Sequence, residues 1–206
     1  MHIAVLVFGR LNKCIEHYDN ILDSIGKEHT IDFFMSSDNS SEYILNEFIR
    51  VYQPKSYTNE KIEYTCEFNK YEGVSTNVDS MTRHFINKKR VFELFETYME
   101  NTNNQYDVVL SLRIDVVIHN HFIFNTIEKN TIYVPEGYDY IENALNDQIA
   151  YGNSDVMKKY NNIFTLCDLL LEQKYTIPHP ESLTLANLKY HNVDICRVNL
   201  QYHIDK

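Results

Sequence analysis

Two stretches of this chain are apolar at consecutive positions rather than at every second one. Ile3–Phe8 is one, and Val108-Val109-Leu110, within Tyr106–Leu112, is the other. A strand with one face in water alternates, whereas a continuous run marks a strand covered on both faces, as in a parallel sheet between two layers of helices. The segments around these runs fit that plan. Leu11–Ile25 places Leu11, Cys14, Ile15, Tyr18, Ile21, Leu22 and Ile25 at helical spacing, with Gly26 as its stop. Thr30–Met35 reads as a strand before the polar turn Ser36–Ser41, and Glu42–Tyr52 as a helix ended ahead of Pro54. Lys55–Val78 reads as a strand plus a long loop. The next helix, capped by Asp79 or Ser80, aligns Met81, Phe85, Phe92, Phe95 and Met99 on one face. Thr131–Val134 and Asn146–Tyr151 are further strands. A helix starts at Asn153-Ser154 with apolar positions from Val156 to Leu171, another spans Glu181–Tyr190, and Val193–Leu200 is a last strand. The alternation predicts an α/β Rossmann-type fold: a central, mostly parallel mixed sheet flanked by helices, in a single domain over 1–206.

Composition narrows the function classes. A net charge of −10 opposes nucleic acid as a partner, because an acidic chain repels phosphate backbones. Cys14, Cys66, Cys167 and Cys196 stand far apart without a Cys-x-x-Cys pair, which argues against structural zinc and fits a reducing, cytoplasmic location. His2–Phe8 is too short for a secretory signal, and no apolar stretch approaches the ~18 residues of a membrane span. Neither Gly-x-Gly-x-x-Gly nor Gly-x-x-x-x-Gly-Lys-Ser/Thr occurs, so a nucleotide would be held by side chains and a metal.

In sheets of this kind, ligands sit beyond the carboxyl ends of the strands. That singles out Phe8-Gly9-Arg10, Ser36-Ser37-Asp38, Arg113-Ile114-Asp115 and Asn146-Asp147-Gln148. Asp115 supports two readings from spacing: an ion pair with Arg113, two residues away on the same side of extended backbone, or a carboxylate for Mg²⁺ or Mn²⁺. Arg10 and Arg113 suit phosphate recognition. Arg83 and Lys88 read by spacing as ordinary helix residues, and Asp79 as a cap. His119-Asn120-His121 reads as surface, His179 lies just ahead of Pro180-Glu181, and His203 follows the last strand.

The segment Tyr106-Asp107-Val108-Val109-Leu110-Ser111-Leu112-Arg113-Ile114-Asp115 resembles the strand and Asp-x-Asp turn of GT-A-type glycosyltransferases, in a variant with Arg at the first acidic position. Asn146-Asp147-Gln148-Ile149-Ala150-Tyr151 is similar to the Asp-Gln motif of glycogenin-like retaining transferases, and Phe8-Gly9-Arg10 falls where GT-A proteins place a base-binding loop. Among GT-A proteins the chain most resembles the small amino-terminal glycosyltransferase domains of large chlorella-virus proteins. The resemblance implies a metal-dependent transferase that moves a hexose or deoxyhexose from a UDP-sugar to an oligosaccharide or glycoprotein acceptor, as a monomeric domain of a longer chain. It also implies a role in viral capsid glycosylation in the host cytoplasm. In the implied layout residues 1–118 bind nucleotide and residues 119–206 face sugar and acceptor. Phe8, Gly9, Arg10, Asp38, Asp79, Arg83, Lys88, Arg113 and Asp115 bind the nucleotide-sugar, Asp115 and His203 hold Mn²⁺ or Mg²⁺, and Asp147 and Gln148 position the donor sugar for retention; in an inverting reaction Asp147 would instead serve as the base toward the acceptor. Because Arg113 cannot ligate a metal, a non-catalytic nucleotide-sugar or carbohydrate-binding module stands as the alternative. A methyltransferase-like domain would want more glycine after the first strand.

Overall fold

The structure, a computed structural model, describes residues 1–64, 68–71, 77–124, 126–137, 139 and 142–205. The elements are β1 (His2–Phe8), α1 (Cys14–Ile25), β2 (Thr30–Ser36), α2 (Glu42–Tyr52), β3 (Ser56–Thr58), α3 (Val78–Thr102), β4 (Val108–Arg113), β5 (Val116–Ile118), β6 (Thr131–Pro135), β7 (Ile149–Gly152), α4 (Ser154–Asn161), α5 (Cys167–Glu172), α6 (Pro180–Tyr190), β8 (Asp194–Val198) and β9 (Tyr202–Ile204). The strand expected near the start of Lys55–Val78 is β3. Residues 65–67 and 72–76 of the expected loop, Cys66 among them, lie outside the described residues.

Seven strands form the central sheet in the order β3-β2-β1-β4-β7-β6-β8, and only β7 runs against its neighbours. The expected mixed α/β fold with a mostly parallel sheet between helices is therefore present. Both faces are covered. Ile3, Val5 and Val7 of β1 pack with Cys14, Ile21 and Ile25 of α1 and Phe48 and Tyr52 of α2. Ala4, Leu6 and Phe8 pack instead with Val91, Phe92 and Phe95 of α3 and with Val156, Met157 and Tyr160 of α4. This division, odd positions to one layer and even positions to the other, is why β1 shows no polar alternation. A smaller cluster joins the first turns of α3 (Met81, Phe85) to α5 (Cys167, Leu170, Leu171).

Three local expectations are corrected. The cap of α3 is Asn77, whose side chain accepts from the Ser80 N–H at 2.9 Å; Asp79 is an exposed first-turn residue. The Val156–Leu171 helix is interrupted by a 3-10 segment, Asn162–Leu166, between α4 and α5. The last strand, expected over Val193–Leu200, stops at Val198, and the chain returns as β9 to form a separate two-stranded sheet with β5.

β1 lies between β2 on one side and β4 on the other, with the chain crossing from one face to the other in between. The register sets Phe8 opposite both Ser36 and Arg113. Three strands thus end level, and the turns that follow them open on one edge of the sheet.

Candidate functional site

At that edge is a cavity of about 490 Å³ lined by Phe8, Gly9, Arg10, Asp38, Ser80, Arg83, His84, Asn87, Arg113 and Asp115. Its volume falls within the roughly 300–1,000 Å³ typical of small-molecule sites. Gly9 turns the chain out of β1 at φ +113°, a backbone conformation that L side chains rarely adopt, while its N–H donates to the Ser36 carbonyl at 3.1 Å. A Cβ at this position would meet nothing within 4 Å, so glycine is needed for the turn, and the space beside it is open.

The charges are arranged in pairs. Arg113 holds Asp115 with two parallel hydrogen bonds, Nε to Oδ1 at 3.0 Å and Nη2 to Oδ2 at 2.5 Å. Of the two readings of Asp115, the ion pair is the one observed; both groups stay partly exposed to the cavity. The Arg113 N–H is itself anchored on the Gln148 carbonyl at 2.9 Å. Arg83 holds Asp38 Oδ2, and the Asp38 Oδ1 accepts from the Ile62 N–H at 2.7 Å. Ser36 on β2 donates to Asn87 on α3 at 2.8 Å, which fixes the helix against the strand ends. Arg10 is exposed at the rim.

Asp147 and Gln148 are 5% and 4% exposed and do not line this cavity, and Lys88 is fully buried. The side chains of Asp147 and Gln148 leave the strand end in opposite directions. Gln148 Oε1 accepts from Tyr202 at 2.6 Å, and Asn146 shares the same hydroxyl. Asp147 turns toward α3, where Oδ2 lies 3.1 Å from His84 Nε2. Burial pushes the Asp147 carboxyl up, but His84, Lys88 and Arg113 together outweigh it and hold the group down to about 2. Burial pulls His84 below the usual imidazole value, against the opposing charge of Asp147. His179, at the cap of α6, is likewise lowered by burial and raised by Asp147. The Lys88 ammonium sits 3.5 Å from the Tyr160 ring centroid and makes no hydrogen bond among the described residues; burial pulls it down to about 7 against the pull of Asp147.

The structure therefore brings Phe8, Gly9, Arg10, Asp38, Arg83, Arg113 and Asp115 to one cavity, and leaves Asp79, Lys88, Asp147, Gln148 and His203 off its wall. It adds His84, whose ring meets Phe8 edge-on at 5.2 Å and stands between the cavity and Asp147. His84 follows Met81 by three residues and precedes Lys88 by four, so the helical period that aligned Met81, Phe85 and Phe92 carried a signal for both polar residues.

The resemblance implies Mn²⁺ or Mg²⁺ on Asp115 and His203, and the donor set does not fit that cation. His203 Nδ1 lies 2.8 Å from His119 Nε2, with the rings stacked at 4.9 Å. Both Asp115 oxygens are taken by Arg113. Among the described residues no group of three or more His, Cys, Asp or Glu side chains is gathered as a metal site. Among the described residues, too, no helix is long and apolar enough to cross a membrane.

No protein-family model matches the chain. It is similar, at 26% identity over 171 residues, to the catalytic polypeptide of DNA polymerase epsilon from Candida glabrata. That alignment covers 80% of this chain and 7% of the polymerase, and it establishes no family.

Proposed function

We propose that the chain is a glycosyltransferase that moves a hexose or deoxyhexose from a UDP-sugar to a glycan acceptor, with the nucleotide diphosphate in the cavity at the ends of β1 and β4. The observation that supports this is convergence: Phe8-Gly9-Arg10, Asp38, Arg83 and the Arg113-Ile114-Asp115 turn come from four separate segments and meet at one cavity. The open backbone at Gly9 leaves room for a planar base, and the guanidinium groups suit phosphate oxygens. In the transfer, the bond from the anomeric carbon to the β-phosphate oxygen breaks, and the electron pair goes to that oxygen. Fixed positive groups around it lower the cost of the developing charge. The acceptor hydroxyl oxygen forms the new bond and loses its proton to the departing phosphate. Attack from the face the diphosphate leaves gives retention. His84 is the side chain through which the buried Asp147 acts on this cavity.

One observation favours the rival reading, a binding module without turnover. Asp147 and Gln148 are buried, with their side chains facing His84 and Tyr202 instead of open space. Release of UDP from UDP-hexoses, followed with a set of oligosaccharide acceptors, separates the two. Turnover that falls at least ~10-fold in Arg113→Gln is expected, as for loss of a charge-assisted contact. UDP binding without turnover supports the module. A failure of UDP to bind or to protect against thermal unfolding removes the transferase and the nucleotide-sugar-binding module alike.

A further inference from the structure

Among the described residues, Asp115 and Asp38 are the carboxylates on the cavity wall, and each is already held by an arginine. Asp147 is buried behind His84. Against these stand Arg10, Arg83 and Arg113 on the same wall. A divalent cation needs several hard oxygen ligands, and Mg²⁺ needs them in near-octahedral array. Here each carboxylate it could meet, Asp115 or Asp38, would have to be pulled from its arginine, and the cation would sit beside Arg10, Arg83 and Arg113. A diphosphate meets the opposite situation. Its oxygens accept from planar guanidinium forks, and Asp115 is the internal anion that it replaces on Arg113.

We infer that this cavity binds the nucleoside diphosphate through its arginines, with Arg113 exchanging Asp115 for a phosphate, and without a divalent cation. Arg113 is thus the positioning group for the leaving phosphate in the place where a metal would otherwise stand. Asp115 acts on the site by competing for that guanidinium. The inference rests on the nucleotide-sugar reading of the cavity.

Calorimetric titration with UDP, in EDTA and in Mn²⁺, tests it without need of turnover. The affinity in EDTA is expected to match that in Mn²⁺ within about threefold, since no counterion bridge is lost. Arg113→Gln should weaken UDP at least ~10-fold in both buffers, the usual cost of a hydrogen bond to a charged group. Asp115→Asn, which leaves the guanidinium unpaired, should tighten UDP in EDTA, and this variant keeps the shape of the site if Arg113→Gln fails to fold. Binding that appears only with Mn²⁺, or that weakens in Asp115→Asn, overturns the arginine assignment and leaves the nucleotide reading standing. No binding of UDP in either buffer overturns the nucleotide reading itself, and the inference with it.

Discussion

Lys88 lies three residues after Phe85 and four before Phe92, in the apolar stripe of α3, and packs over Tyr160 with no hydrogen bond for its ammonium among the described residues. Folding therefore favours its neutral form, down to about 7 from the ordinary lysine value of 10.5. The sign of the consequence follows. Between these two values the unfolded chain binds a proton at Lys88 that the folded chain does not, so stability rises with pH there, by up to ~1.4 kcal/mol per unit. Lys88→Met, similar in length and apolar, is expected to be the more stable form at pH 6. Its advantage should shrink steadily toward pH 10 in urea unfolding. Parallel profiles for the two proteins would show that Lys88 is not buried as described. At this scale the sequence was half legible. Strand ends pick out residues by position along the chain, so Gly9, Arg10, Arg113 and Asp115 could be found. Whether Asp147 or Lys88 faces a cavity or a core depends on what packs over it: α4 brings Tyr160 over Lys88, and β9 brings Tyr202 to Gln148, from 72 and 54 residues away.

The short strands carry more than their length suggests. β9 is three residues long, yet it pairs with β5, and the Asp205 N–H next to it donates to the Asp115 carbonyl at 2.8 Å. Its Tyr202 hydroxyl is bonded to both Asn146 and Gln148, all three residues being buried. Tyr202→Phe keeps the ring and removes that hydroxyl, which strips a partner from each of two buried amides. The expected loss is about 1–3 kcal/mol in chemical unfolding, the usual cost of an unsatisfied buried polar group, and a loss below ~0.5 kcal/mol would refute it. Long elements were readable in the sequence because their apolar period repeats; β1 and α3 needed no tertiary information. Three-residue strands such as β5 and β9 show less than two periods of any pattern, and their pairing is decided by a partner 86 residues away, as Val117 with His203. The break between α4 and α5 was hidden for a related reason. A 3-10 segment keeps nearly the same apolar spacing as the helix it interrupts.

Across the whole molecule, covering is uneven. β1 is bonded along both sides, to β2 and to β4, and lies between two packed layers; β3 and β8 are edge strands of the sheet. Amide exchange opens such structures from the least covered units inward. Mass-resolved hydrogen exchange is therefore expected to find the slowest amides in β1 and β4, and much faster ones in β3, β8 and the β5–β9 pair. Protection as high in β9 as in β1 would contradict this order. The cavity stands where these regimes meet: its floor is the ends of β1 and β4, while Asp115 leads directly into the thinner β5–β9 sheet. The turn at Asn146, Asp147 and Gln148 has a mechanical meaning in that setting. Successive side chains reach opposite sides of the sheet, to His84 on α3 and to Tyr202 on β9, and the main chain at Gln148 is tethered to Arg113. Such a turn is a clasp: side chains of adjacent residues bind α3 on one face and β9 on the other to a single strand end, which is itself held to Arg113 at the cavity.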